Sequence, residues 1–381
     1  MSPGTVLLAG MSATTTATPM LRALAAAIRA NVPVLVWGQP GVGKTAYVET
    51  WGTRNGFLVE TVVGSIREAS DFLGLPIEVD GQVRYAPPSW AERLAKASKG
   101  LLFLDELTTA APSVQRAMLR ILQEREVGEM TLPSSVALVA AANPPAVAVD
   151  GWDLAAPVAN RLMHLDWHFD ADAWLDGVVT DFAYIDPPSL EAMLGVRSDV
   201  DAIRVKGAVT AFLKARPDLQ LSLPSDPALA GKGWPSPRSW TNAMAVLAEL
   251  DPRDEDGALL VLKGCVGEAA AVEYLAWLAA NDLYDPEAVL ADPKIVDWTA
   301  RPDRIFALMA SIVGLVRVRG DKATWERGIR VLVACAEAGR PDLAYPGART
   351  LLNAIPAGAK CPQAAVDAFA DLMRRSGRWA S

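Results

Sequence analysis

Apolar residues follow one pattern up to about residue 168 and another beyond it. Val34-Leu35-Val36-Trp37 is an apolar run short enough to be a buried strand, and Phe57 to Val63, Leu101 to Leu104 and Val136 to Ala142 read the same way. Helical patterns lie between these runs. Thr18 reads as an N-cap and Pro19 as the first helical residue, with Met20, Leu21, Leu24 and Ile28 on one face up to Ala30. A short helix is expected near Ile66 to Leu73, and another from Trp90 to Ser98 with Trp90, Leu94 and Ala97 on one face. A third starts at Pro112, where Val114, Ala117, Met118, Ile121 and Leu122 keep core-facing spacing. Alternation of this kind predicts a parallel sheet, and the α/β class.

Two segments interrupt the alternation. Ile77 to Tyr85 alternates across Asp80-Gly81, a strong short-range signal for a β-hairpin, and Glu124 to Leu132 resembles a second hairpin turning at Gly128. Pro157 to Leu162 reads as a short helix, followed by a strand from Leu162 to Trp167. From Phe169 the chain is helical and rich in Ala and Leu, with loops expected over 181–188 and 222–233. Ser236 and Pro237 open a helix that places Trp240, Ala243, Met244 and Leu247 on one face. Further helical patterns cover Leu259 to Val266, Glu268 to Ala280, Asp303 to Val318, Thr324 to Ala336 and Cys361 to Arg375. The expected division is an α/β domain over 1–168, an all-α domain over 169–280 and a further helical region over 281–381.

Chemistry enters at Gly38-Gln39-Pro40-Gly41-Val42-Gly43-Lys44-Thr45, which fills the pattern G-x-x-x-x-G-K-[ST] between a predicted strand and a predicted helix. Glycines let such a turn point its N–H groups inward, and the helix start adds positive charge, so the segment suits an anion. Gly38, Pro40, Gly41, Val42, Gly43, Lys44, Thr45 and Ala46 form the candidate nucleotide-binding set. Lys44 would reach the β- and γ-phosphates of ATP, and the Thr45 hydroxyl would ligate Mg²⁺. The run 101–104 ends in Asp105 and Glu106, carboxylates delivered to the end of a buried strand. Asp105 suits the metal shell and Glu106 the orientation of an attacking water; the structural alternative is an acidic helix cap. Asn143, ending the next strand, could hydrogen-bond the γ-phosphate or that water, or could open an Asn-Pro turn.

Composition narrows the partners. The 381 residues are 51% hydrophobic and 21% charged, as in ordinary globular proteins. Thirty-six Lys and Arg against 44 Asp and Glu leave a net charge of -8, which supplies no overall field for nucleic acid or an anionic membrane. Neither partner is expected. Three scattered cysteines and two histidines form no zinc pattern; the cysteines read as small buried residues, and His164 and His168 as strand residues with local partners. Met1 to Ala9 lacks a secretory signal, so a cytoplasmic location is expected. Arg374, Arg375 and Arg378 make a small basic tail, read as a solvated helix end. Arg238 is less easily explained, since a cation in a first helical turn gains nothing from the dipole.

Taken in order, these motifs resemble those of the AAA+ ATPases, and among them the MoxR-like group, over roughly residues 18 to 250. Gly38 to Thr45 is similar to Walker A and Leu101 to Glu106 to Walker B. Asn143 resembles sensor 1, Arg161 in Ala159-Asn160-Arg161-Leu162 the arginine finger, and Arg238 in Ser236-Pro237-Arg238 sensor 2. The family often has Phe after the finger arginine, where this chain has Leu162. The hairpins at 76–87 and 124–132 are similar to that clade's helix-2 and pre-sensor-1 inserts. The resemblance implies an AAA+ core, an all-α lid and a homo-hexameric ring in which Arg161 acts on the neighbour's ATP. It further implies a protein client and a separate partner with a von Willebrand factor A domain. A nucleic-acid motor and a nucleotide-switched scaffold remain alternatives on the same fold. Residues from about 281 onward resemble no named part of the family.

Overall fold

Strands that are apolar throughout need cover on both faces, and here they form the middle of one sheet. The computed structural model describes residues 17–144, 154–179 and 187–375. Met1 to Ala9, most of the loop expected over 181–188, and the side chains of Arg374, Arg375 and Arg378 lie outside what is described. The strands are β1 Val34–Trp37, β2 Leu58–Val63, β3 Leu75–Val79, β4 Gln82–Ala86, β5 Gly100–Asp105, β6 Glu126–Val127, β7 Met130–Thr131, β8 Val136–Ala142 and β9 Met163–Asp166. Five of them form a sheet in the order β2-β5-β8-β1-β9. The β2–β5, β5–β8 and β8–β1 pairs are parallel. Every residue of β1 and β8 is buried.

The chain divides into two compact units. The first comprises the described residues of 17–144 and 165–195 and holds helices α1 Pro19–Arg29, α2 Lys44–Arg54, α3 Ser70–Leu73, α4 Ser89–Lys96 and α5 Pro112–Glu124. The second takes in 154–164, with the short α6 Ala156–Ala159, and resumes at Val196. Between these segments α7 Ala171–Val179 and α8 Leu190–Leu194 belong to the first unit. There the Leu190 N–H donates to Asn55 at 2.7 Å and the Trp51 indole donates to the Pro188 carbonyl at 3.1 Å. On α5 the expected stripe of Val114, Ala117, Met118, Ile121 and Leu122 is buried.

Both hairpins are present in the first unit. β3 and β4 pair antiparallel through Asp80 and Gly81, whose φ angles of 52° and 76° are the two positive values of a tight two-residue turn. Leu75, Ile77, Val83 and Tyr85 of this hairpin are exposed. β6 and β7 form the second hairpin, which is anchored by Arg125. That side chain donates to the carbonyls of Leu132 at 3.3 Å and Pro133 at 2.8 Å, and burial pulls its pKa below the usual arginine value. Gly128 turns with φ of 61° so close to the Leu73 carbonyl that an added Cβ would lie 2.6 Å from its oxygen. The second hairpin therefore packs against the end of α3, which leads into the first.

The second unit is helical: α9 Asp199–Ala215, α10 Pro227–Ala230, α11 Pro237–Leu247, α12 Glu255–Val266, α13 Glu268–Ala280, α14 Pro286–Ala291, α15 Pro302–Arg319, α16 Lys322–Glu337, α17 Pro341–Leu352 and α18 Gln363–Arg375. Phe212, Trp240, Tyr274 and Trp277 pack ring against ring, and the Trp240 indole donates to the Leu219 carbonyl at 2.7 Å. A second core joins Ile203 of α9 to Leu308, Ile312, Trp325, Leu332 and Phe369. Cys265 and Cys335 are buried, as read from sequence, and Cys361 is half-buried. No helix among the described residues is long and apolar enough to cross a membrane.

Candidate active site

The turn after β1 and the ends of β5 and β8 meet at one edge of the sheet, because parallel strands end on the same side. Register brings them together: Trp37 lies beside Ala142, and the Gly38 N–H donates to the Ala142 carbonyl at 3.1 Å. Gly41 and Gly43 have φ of 79° and 84°, the left-handed region that costs a residue with a side chain free energy. Gly43 is the N-cap of α2 and offers no side chain to its first N–H groups. Those donors, with the positive end of an eleven-residue helix, are left for an anion.

Lys44 is buried, with Nζ donating to the carbonyls of Gly38 at 2.7 Å and Gln39 at 2.9 Å. Burial lowers its pKa, while the charges of Asp105 and Glu106 act in the opposite direction. The Thr45 hydroxyl donates to Asp105 Oδ2 at 2.5 Å, and Asp105 Oδ1 accepts the Glu106 N–H at 2.8 Å. Hydroxyl and carboxylate thus stand as neighbouring oxygen donors, a set that suits Mg²⁺ with its phosphate-bound coordination. Tyr47, early in α2, meets Trp167 edge-on at 5.3 Å; its hydroxyl is buried without a partner among the described residues, and burial raises its pKa.

Glu106 has φ of 58°, a left-handed conformation that costs a non-glycine residue on the order of 1–3 kcal/mol. Its carboxylate accepts a hydrogen bond from the Ser65 hydroxyl. Ser65 was not singled out by sequence, although it lies two residues past Val63, the partner of Asp105 in the parallel register. The Thr108 hydroxyl, 2% exposed, donates to the Asn143 carbonyl at 3.4 Å and ties the end of β8 to the loop that follows Glu106. Glycine turn, Lys44, Thr45, Asp105, Glu106 and Asn143 therefore share one edge in the first unit.

Arg161 and Arg238 lie in the second unit, on segments joined by a buried polar network. Asn160, 3% exposed, donates to the Trp234 carbonyl at 2.7 Å and accepts from the Ser236 hydroxyl at 2.5 Å. Ser236 caps α11, as its Ser-Pro start predicts, and Ser239 caps back reciprocally, so the residue before Arg161 is fastened to the helix that carries Arg238. The Asn242 side chain also donates to the Arg161 carbonyl at 3.4 Å. Arg238 is exposed, and no acidic residue stands in the first turn of α11. His164 is buried with Nε2 2.9 Å from the Ala159 carbonyl, the local partner expected of it, while His168 is exposed beyond β9. Asn160 had no signal in the sequence, since only the folded chain brings it to Ser236.

The match to one known family agrees with this geometry. Residues 11–150 match the family described as the Sigma-54 interaction domain, an AAA+ ATPase domain. No curated protein matches. Among the solved structures that match is one described as a "putative ATPase" from Cytophaga hutchinsonii, at 17% identity and a TM-score of 0.43, over 68% of this chain and 88% of that one. The parallel sheet, the P-loop and the paired carboxylates make this an ATP hydrolase with an AAA+ α/β core.

The Asn160 network gives a direct stability test. Asn160→Ala removes two buried hydrogen bonds, one to the Trp234 carbonyl and one from the Ser236 hydroxyl, and should cost about 1–3 kcal/mol, read as a lower urea midpoint. Asn353→Ala, at an exposed position, should stay within about 0.5 kcal/mol of the unchanged protein. Equal midpoints for the two variants would remove Asn160 from its structural role.

Proposed function

We propose that this chain is a MoxR-like AAA+ ATPase that works as a homo-hexameric ring and uses ATP hydrolysis to remodel, activate or assemble a protein client. The observation that carries the reading is the meeting of Thr45, Asp105 and Glu106 at the sheet edge beneath the glycine turn. In this mechanism the turn N–H groups and Lys44 hold the phosphates, and Lys44 leaves the carbonyls of Gly38 and Gln39 to do so. Thr45 and Asp105 would hold Mg²⁺, which when bound neutralises phosphate charge. Glu106 orients the attacking water, its carboxylate steadied by Ser65, and Asn143 positions the same water from the neighbouring strand.

Arg161 stabilises charge developing on the γ-phosphoryl of the adjoining subunit, a role worth about 10³ to 10⁵ in rate in related chemistry. Arg238 senses the nucleotide of its own subunit from α11. Because Asn160 fastens the two arginine segments together, a change at one is transmitted to the other. In functional terms the chain is divided into a nucleotide-binding domain over 1–168, a lid over 169–280 and a helical extension over 281–381. The exposed apolar residues of the β3–β4 hairpin support a protein client, with which a separate chain bearing a von Willebrand factor A domain would cooperate.

Glu106→Gln should retain ATP binding and assembly while turnover falls at least about 100-fold; unchanged turnover would remove Glu106 from the chemistry. Action across the subunit boundary is tested by mixing Arg161→Ala with Lys44→Ala subunits, each inactive alone. Hydrolysis should reappear where an intact arginine faces an intact P-loop, and persistent inactivity of rings shown to be mixed would contradict the interface model.

A further inference from the structure

The second unit contains a cavity of about 430 Å³ that none of the nucleotide chemistry uses. It lies among α9, α11, α12, α13 and α15, and its volume falls in the range of small-molecule sites. Its buried wall is largely aliphatic, with Leu262 fully buried and Leu308 2% exposed. Two polar groups interrupt that wall. Tyr274 is 3% exposed and Ser311 5%, both line the cavity, and neither hydroxyl has a hydrogen-bond partner among the described residues.

Both residues are buried in their bulk while lining the cavity, so what fills the cavity supplies the hydrogen bonds of their hydroxyls. Two such hydroxyls in one cavity call for an occupant that hydrogen-bonds. The position of Ser311 is itself built for closeness: a Cβ on Gly207 of α9 would fall 2.3 Å from its Oγ. Tyr274 is held in the aromatic cluster by Phe212 and Trp240, at centroid distances of 5.2 and 6.1 Å.

Charge at the exposed side defines the rest of the ligand. Asp201, Asp251 and Asp285 line the cavity against a single cation, Arg204. That guanidinium is already engaged by Asp201 at 3.3 Å and Asp285 at 2.7 Å. Among the described residues Asp251 is paired only with Arg253, which is 90% exposed in its side chain and stands outside the lining. The rim thus favours a cation and disfavours a carboxylate or phosphate.

We infer that this cavity is a binding site for a small amine-bearing amphiphile, with its apolar body among the leucines, a hydrogen-bonding group at Tyr274 and Ser311, and its cation at the Asp-rich rim. The site is independent of the nucleotide reading, because its readout is binding rather than hydrolysis.

Three probes separate the contributions on the full chain by calorimetric titration: hydroxyphenylbutylamine, phenylbutylamine and hydroxyphenylbutyrate. The first should bind saturably. Loss of its hydroxyl should weaken binding several-fold, and replacement of the amine by a carboxylate should weaken it about tenfold or more, in line with charge–charge energies near a protein surface. Ala208→Phe, which fills the cavity from α9, should abolish binding; Tyr274→Phe should remove part of the advantage of the hydroxyl probe over phenylbutylamine. Absence of saturable binding by the amine, equal affinity for the carboxylate, or undiminished affinity in Ala208→Phe would overturn the assignment. If Ala208→Phe does not fold, Tyr274→Phe decides, and an unchanged ratio between the two amines overturns it.

Discussion

The hydrogen bond from Thr45 to Asp105 joins positions 60 residues apart in sequence, and the site has no meaning without it. It exists because β1, β8 and β5 run parallel and end together. Each of these strands is apolar to its end and then delivers one polar feature: the glycine turn, Asn143, or Asp105 with Glu106. Burial of the strands fixes their register, and register fixes the site. A bond between a hydroxyl and a carboxylate contributes about 1.5–3 kcal/mol, small beside the burial of three strands, so packing holds the chemistry in place rather than the reverse.

Around that bond the chain departs from relaxed geometry at the places where chemistry is expected. Glu106 is left-handed without being a glycine, and Lys44 is buried in spite of its charge. Strain and desolvation of this kind persist only when the surroundings over-determine them. Asp105 and Ser65 hold Glu106 at its backbone and its carboxylate, while two turn carbonyls satisfy Lys44. The second unit has a comparable device, the Asn160–Ser236–Ser239 network, which sets two arginine-bearing segments in one frame.

Much of the first unit was legible because its signals are local. Apolar runs gave the inner strands, Asp80-Gly81 gave the first hairpin, and the glycine pattern marked the phosphate turn. Ser65 and Asn160 were not, since each acts through a partner that only the fold supplies. In the second unit α9 carries no clean apolar stripe because it is packed by α11, α13 and α15 together, so its buried positions do not fall on one face. α17 was obscured by Pro346, a residue that ordinarily ends a helix but here lies within one. In the first unit α8 is too short to show a period. The cavity could not be read at all, since Tyr274 and Ser311 look like ordinary core residues until their lack of a partner is seen.

Titration of ATP into the full chain, with and without Mg²⁺, tests the central claim most directly when run beside Lys44→Ala. If the turn and the Thr45–Asp105 pair hold the nucleotide, ATP binds the unchanged protein, binds more tightly with Mg²⁺, and binds Lys44→Ala at least about tenfold more weakly. ATP affinity that is the same in both proteins would contradict the account.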